Sequence, residues 1–298
     1  MKILITGATG LVGSRFLELL PEKFEALCPD EKELDITNKE LVEKYFEANK
    51  PNTVVHFAAF TDPKKAELER NDKNGIAWKV NVEGTRNLAD AASKYNTFFV
   101  HVSTDLIFPS TKTKEEFYDE DSLLPDKPDG LSWYGYTKLE SEKVVRSILK
   151  SFAIVRIAYP YRAKYEQKQD FARLFINMYD TDTMYPLFTD NTICATFIDD
   201  ACYGIYKIID DSVNGVFHFT SADPTSHYEF ACYVLKNSGR DISNIQKTLM
   251  SEFVKTAKVP RAVYSTLKNE KTQKTLDIKL KTWKEGADTF LEQYKSLK

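Results

Sequence analysis

Tyr134 and Lys138 stand four residues apart where a helix is predicted to begin, which puts a phenol and an ammonium on one helix face. A neighbouring ammonium favours phenolate and lowers the tyrosine pKa from its free value of about 10, so the hydroxyl can give or take a proton near neutrality. The chain has 16 tyrosines, and the same spacing recurs at Tyr203–Lys207, Tyr264–Lys268 and Tyr294–Lys298, so spacing alone selects nothing. Context selects the first pair. Ser103-Thr104-Asp105 ahead of it ends a predicted parallel strand, at the carboxyl edge where open α/β sheets bind ligands. Thr104 can donate a hydrogen bond there to a carbonyl oxygen and stabilise the negative charge that develops on it. The other three pairs read as surface coincidences.

A second constellation is Gly7-Ala8-Thr9-Gly10-Leu11-Val12-Gly13, a GxxGxxG spacing between an apolar run and a predicted helix. Gly7 permits a sharp turn, Gly10 lets backbone approach a pyrophosphate, and Gly13 lets the helix sit close to the sheet. The helix start offers free N–H groups and partial positive charge to phosphates. The pattern is weak when bare, but directly after a strand and opening a helix it points to a dinucleotide. Beyond the second strand, an acid would bond the adenosine ribose of NAD and a base would accept the extra phosphate of NADP. Asp30 leans toward NAD, but it follows Pro29 and Lys32 is close by, so NADH and NADPH both stay open.

Positioning these groups requires strands alternating with helices. Strands are predicted at 2–6, 24–28, 53–59, 98–103 and 153–157, and helices at 11–20, 38–49, 78–95 and 134–150. That alternation predicts parallel strands joined by crossover helices, with both sheet faces covered and the strands apolar throughout. Beyond Pro160 the pattern loosens. Helices are predicted at 171–179, 199–209, 228–236 and 283–294, an extended piece at 185–188 and a strand at 216–220.

With 298 residues, 41 Lys plus Arg and 44 Asp plus Glu, the chain can bury a large core and lacks the basic excess of a nucleic-acid binder. No apolar run approaches the roughly 20 residues of a membrane span. The N-terminal run meets glycine after five residues, too short for a signal peptide, so a cytoplasmic protein is expected. Cys28, Cys194, Cys202 and Cys232 are scattered and read as reduced, mostly buried thiols. His56 and His101 lie in strands without metal spacing and read as packed, so no metal is expected. From residue 251 onward eleven bases face six acids, either a solvated surface or a field that attracts an anionic substrate.

The glycine loop, His56-Phe57-Ala58-Ala59, Asn81-Val82-Glu83-Gly84, Ser103-Thr104-Asp105 and Tyr134-Gly135-Tyr136-Thr137-Lys138 together resemble the extended short-chain dehydrogenase/reductase superfamily. Leu34-Asp35-Ile36-Thr37, Ala58-Ala59-Phe60-Thr61, Val102-Ser103-Thr104-Asp105 and Arg261-Ala262-Val263-Tyr264-Ser265-Thr266-Leu267, followed by Trp283, are most similar to its dTDP-4-dehydrorhamnose reductases. The resemblance runs nearly end to end. It implies a doubly wound, Rossmann-type parallel α/β sheet (residues 1–157 and about 196–215) with a second, smaller α/β substrate domain (about 158–195 and 216–298). It further implies hydride transfer from NADPH or NADH to a 4-keto group of a nucleotide-linked deoxysugar.

In that scheme Tyr134 protonates the alkoxide, Lys138 holds the nicotinamide ribose and tunes Tyr134, and Thr104 orients the carbonyl. Gly7, Thr9, Gly10, Leu11, Val12, Gly13, Asp35, Ile36, Ala58, Ala59, Thr61 and Asn81 join Tyr134 and Lys138 around the cofactor. Asp105, Tyr159 and Arg261 join Thr104 on the substrate side, although Asp105 also reads as a turn cap and Arg261 as a surface ion pair. Partners implied are the small-molecule substrate and a homodimer, with no nucleic acid or membrane.

Five positions depart from the reductase pattern. Leu106 stands for a tyrosine, Tyr159 for a tryptophan, Arg162 for a glycine, Lys64 for an acid and Ala262 for a proline. Most belong to the substrate side, so hydride chemistry is better supported than the identity of the sugar. An epimerase or dehydratase on the same fold, and a non-catalytic regulatory subunit like that of methionine adenosyltransferase, remain as alternatives. Asp105-Leu106 in place of the dehydratases' Asp-Glu pair disfavours dehydration.

Overall fold

A computed structural model describes residues 1–297. Its strands are β1 (Lys2–Thr6), β2 (Glu25–Leu27), β3 (Thr53–His56), β4 (Phe98–Thr104), β5 (Phe152–Ile157), β6 (Leu187–Phe188), β7 (Gly215–His218) and β8 (Lys247–Thr248). Six form one sheet in the order β2-β1-β3-β4-β5-β7, every neighbouring pair parallel, and β6 pairs with β8 apart from it.

Alternation along the strands explains why they read as apolar throughout. Ile3, Ile5, Val55, Val100, Val155 and Phe217 point to one face, where helices Leu11–Glu18 and Ile198–Asp211 cover them with Phe16, Ile198, Ile205 and Ile209. Leu4, Val54, Phe99, Ile154 and Val216 point to the other, under Val42 and Phe46 of Lys39–Asn49, Leu88 and Ala92 of Thr85–Lys94, and Val145 of Trp133–Ile148. The predicted doubly wound α/β sheet is therefore observed. A second core, built on Tyr161, Phe175, Phe230, Val234, Trp283 and Phe290, joins helices Phe171–Asp180, His227–Asn237 and Trp283–Lys295.

Two boundaries differ from expectation. The strand placed with the smaller part from residue 216 onward is β7, which pairs with β5 along Ala153–Gly215 to Arg156–His218. Helix Ile198–Asp211 is a crossover that returns the chain to the sheet, and helix Glu270–Leu276 follows it there, with Leu276 in the sheet-face core. The helix predicted at 78–95 is interrupted by a π-helical segment, Lys79–Gly84, ahead of Thr85–Lys94. A π-segment shifts the face each side chain presents and is frequent beside functional sites.

Three cysteines are buried as expected and Cys28 is exposed. His56 is packed between Thr6 Oγ1 (2.7 Å) and Thr85 Oγ1 (3.0 Å). Among the described residues no helix is long and apolar enough to cross a membrane, and no three His, Cys, Asp or Glu side chains converge as metal ligands would.

Candidate active site

In a 2-1-3-4-5 strand order the chain leaves β1 toward one side and β3 toward the other, so the carboxyl ends of β1 and β3 open a crevice. The glycine loop fills its floor. Gly7 has φ +71, and a Cβ on it would sit 2.6 Å from the backbone nitrogen of Ala58. A Cβ on Gly13 would overlap the carbonyl oxygen of Gly7, so the helix starts against the turn itself. Backbone thus lies bare along the crevice beside a helix N-terminus. That is a cradle for a pyrophosphate, and any larger side chain would fill it.

The crevice continues into a cavity of about 1080 Å³. One end is lined by Gly7, Thr9, Gly10, Leu11, Val12 and Gly13, with Asp30, Asp35 and Ile36 beyond β2. Ala58, Ala59 and Thr61 line its middle, and Thr104, Asp105, Tyr134, Lys138, Tyr159 and Arg261 its far end. Every expected site residue but one therefore faces a single cavity.

Asn81 is the exception. It is buried in the π-segment, where its Oδ1 accepts from Phe60 N (2.7 Å) and its Nδ2 donates to Phe60 O (3.2 Å) and Thr137 Oγ1 (2.9 Å). It braces the cavity wall to the helix of Tyr134 and Lys138 without reaching the cavity. Just before Tyr134, Trp133 stacks on Trp78 and Tyr136 in a buried cluster that braces the start of the same helix.

That helix is placed by its first turn. Ser132 caps it, accepting from Gly135 N (3.1 Å), and Gly135 lies so close to Leu106 O that a Cβ would overlap that oxygen. The helix start is thereby pressed onto the end of β4. This is why Tyr134 faces the same cavity as Thr104, a proximity that no spacing in the sequence encodes. Tyr203, by contrast, is exposed and Lys207 pairs with Asp211, as befits a surface coincidence.

The electrostatics depart from the expected acidic phenol. Burial, then the Asp105 carboxyl, pushes the Tyr134 pKa up rather than down. The Lys138 ammonium is itself buried, which lowers its pKa to about 8 against the upward pull of Glu142. Its Nζ lies 3.3 Å from His101 Nε2, and burial together with Lys138 holds that imidazole neutral. Tyr134 is therefore a protonated phenol across neutral pH, in the state a general acid needs. Burial also pushes Asp105 up to about 6, although its Oδ1 accepts from Thr104 Oγ1 (3.1 Å).

The price of burying Lys138 yields a prediction. Unfolded, this lysine would keep its proton to near its ordinary value of 10.5; folded, it releases it near 8. Between these values unfolding takes up a proton, so its burden on stability is full below pH 8 and disappears as pH rises toward 10.5. Lys138→Met should unfold no more readily than wild type at pH 7 in urea and lose part of the rise in stability between pH 8 and 10. It should also bind reduced nicotinamide dinucleotide at least about tenfold more weakly, because the ammonium's donors are gone. Unchanged affinity by fluorescence titration would contradict a ribose role.

At the far end of the cavity Tyr159 adopts φ +46, unusual for a bulky residue. Arg261 stands near both Tyr159, whose pKa burial and then Asp105 raise against its pull, and His227, whose pKa burial and then Arg261 lower to about 4. Its segment is anchored by Thr192 N to Val263 O (3.2 Å) and Ser265 N to Thr192 O (3.1 Å). Lys64 does not line the cavity, for Asp62 caps a short helix there with Pro63 at its first position. Arg162 lies against the glycine-loop end of the cavity. It reaches Leu11 O (3.4 Å), Ser14 Oγ (2.9 Å) and both carboxylate oxygens of Glu18 (2.6 Å) on the helix after the glycine loop. Tyr165 and Lys168 also line the cavity and were missed from sequence, because they touch it across more than 150 residues of chain.

Comparison with known proteins identifies the family and the fold. The family model described as RmlD substrate binding domain matches residues 1–296. A dTDP-4-dehydrorhamnose reductase of Aggregatibacter actinomycetemcomitans is 29% identical over 285 residues, covering 93% of this chain and 90% of that one. A crystal structure of dTDP-4-dehydrorhamnose reductase from Bacillus anthracis in complex with NADP superposes with a TM-score of 0.87 at 27% identity, covering 98% and 99% of the two chains. Methionine adenosyltransferase 2 subunit beta of Rattus norvegicus is 26% identical over 253 residues, 78% of this chain and 71% of its own.

Proposed function

Because the chain belongs to the RmlD substrate binding domain family, we propose that it is an NAD(P)H-dependent reductase of a 4-keto group on a nucleotide-linked deoxysugar. The observation that carries this is one cavity with a glycine cradle at one end and Thr104, Tyr134 and Lys138 at the other. The dinucleotide supplies the hydride.

The chain's own residues do the rest. The Thr104 hydroxyl donates to the ketone oxygen, polarising the carbonyl and stabilising charge as it develops. The Tyr134 hydroxyl, kept protonated by burial, delivers its proton to that oxygen. Lys138, held beside neutral His101, presents its ammonium donors to the ribose of the cofactor. Arg261 and Tyr159 border the substrate end, where a guanidinium suits the phosphates of a nucleotide diphosphate. Asn81 and Gly135 are positioning residues.

The test is a spectrophotometric screen of NADH and NADPH against 4-keto-6-deoxy sugar nucleotides. Net oxidation of the added cofactor is expected. Epimerisation with no net oxidation would support an epimerase instead. Absence of turnover, together with capture of a stoichiometric enzyme partner, would support the regulatory role suggested by the likeness to the adenosyltransferase subunit.

A further inference from the structure

Residues 161–170 form a strap laid over the glycine loop. The Tyr165 hydroxyl donates to Thr9 O at 2.9 Å, and the Arg162 guanidinium grips Leu11 O and Ser14 Oγ of the helix that the loop opens. The strap is also tied within itself. Asp170 Oδ2 accepts from Arg162 N (3.1 Å) and Arg173 Nε (2.8 Å), and Arg173 donates to the carbonyls of Tyr165 and Lys168 (2.7 Å for the latter). Both guanidinium groups lie about 6 Å from the Tyr165 ring centre, at 5.8 and 6.0 Å. Lys168 is exposed at its outer side yet lines the cavity.

Among the described residues the cavity is lined by three cations, Lys138, Lys168 and Arg261. Lys138 sits on the wall with Tyr134, and Arg261 on the substrate side with Tyr159. Lys168 is three residues from the tyrosine bonded to Thr9, at the loop built to receive a pyrophosphate. The cradle itself offers only backbone N–H groups and a helix dipole equivalent to roughly half a charge. Two ionised phosphates leave an excess that a side-chain cation can meet from the open side.

We propose that Lys168, carried on a strap that Tyr165 fastens to the glycine loop, pairs with the pyrophosphate of the bound dinucleotide. The inference rests on the reading of the cavity as a nicotinamide dinucleotide site. An ammonium paired with a phosphate makes a charge-assisted bond, so its loss should cost about tenfold in affinity.

The test measures direct binding of NADH, NADPH, ADP-ribose and AMP by calorimetry or fluorescence to the wild type and to Lys168→Gln and Lys168→Arg. The glutamine variant is expected to bind NADH, NADPH and ADP-ribose about tenfold more weakly, all to the same degree. AMP, which keeps only one of the two phosphates, should lose less, and arginine should restore most of the loss. A loss confined to NADPH would overturn the proposal by placing the ammonium at the 2′-phosphate, and unchanged affinities would overturn it outright. A wild type that binds neither dinucleotide would overturn the reading of the cavity and this inference with it. Binding by wild type and glutamine variant alike would overturn this inference alone.

Discussion

Replacing Tyr134 by phenylalanine is expected to lower the rate of ketone reduction by about 10²–10⁴-fold while leaving cofactor affinity and folding nearly unchanged. The whole effect comes from one oxygen atom. The ring packs against the apolar cluster that contains Trp78, Val82 and Trp133, and phenylalanine keeps that packing. Glycine cradle and Lys138 are untouched, so reduced dinucleotide should still bind. What disappears is the proton that must reach the substrate oxygen as the hydride arrives. The other candidate acids are poorly suited: Asp105 is pushed up only to about 6, so it is largely ionised at pH 7 to 8, and His101 is neutral. Stopped-flow absorbance of the reduced nicotinamide separates binding from chemistry, and thermal unfolding checks the fold. A variant that turns over within a few-fold of wild type would remove Tyr134 from the reaction. One that simply fails to bind cofactor would assign it to binding instead.

Local demands of the backbone made part of this site readable. Gly7 and Gly13 stand where the chain has no room for a Cβ, and in GxxGxxG after an apolar run that demand is written in the residue types. The alternating apolar runs of β1, β3, β4 and β5 were legible for a similar reason, since burial on both faces leaves no polar position. Tyr134 and Lys138 were found through context. Their electrostatics were not, because the pKa of the phenol depends on burial and on Asp105 nearly thirty residues earlier. The ammonium expected to acidify it is held at His101 and is itself depressed.

Long-range closure hid the remainder. Arg162 reads in sequence only as a departure from a glycine, yet its partners Leu11, Ser14 and Glu18 lie near the N-terminus. Asn81 sits among family-like residues and matches a cofactor ligand in sequence, but the π-segment turns it inward onto Phe60 and Thr137. The strand at 215–218 looked like part of the smaller unit because the alternation weakens after Pro160. Its parallel pairing with β5 is set by the crossover helix before it, and a crossover is recognised only once both strands are known.

The helix bearing Tyr134 and Lys138 is held to the sheet from below by a buried ion pair, and breaking that pair should be the most destabilising change in the chain. Arg156 of β5 and Glu142 of the helix are both fully buried and meet in two bonds, Nε to Oε1 at 3.0 Å and Nη2 to Oε2 at 2.8 Å. Arg156 Nη1 lies 3.2 Å from His218 Nε2 on β7, and its guanidinium stands over the Phe108 ring. Burial and Arg156 hold that imidazole neutral, its pKa lowered to about 3, so Nε2 accepts from the guanidinium while Nδ1–H donates to Lys268 O (2.7 Å). One side chain thus joins β5, β7 and the helix of Tyr134 and Lys138. Arg156→Met removes the cation but leaves a carboxylate in the interior, with Arg146 at 3.9 Å and the more distant pull of Lys138 in its place. Removing one partner of such a pair costs about 3–5 kcal/mol, whereas replacing both with apolar groups is often neutral. Urea unfolding should therefore show the single variant destabilised by about that amount and the double variant Arg156→Met/Glu142→Met recovering most of it. Glu142 also raises the Lys138 pKa, so the recovered double variant should release the lysine proton at a still lower pH and lose cofactor binding earlier on the alkaline side. A single variant as stable as wild type would show that packing, and not the ion pair, seats this helix.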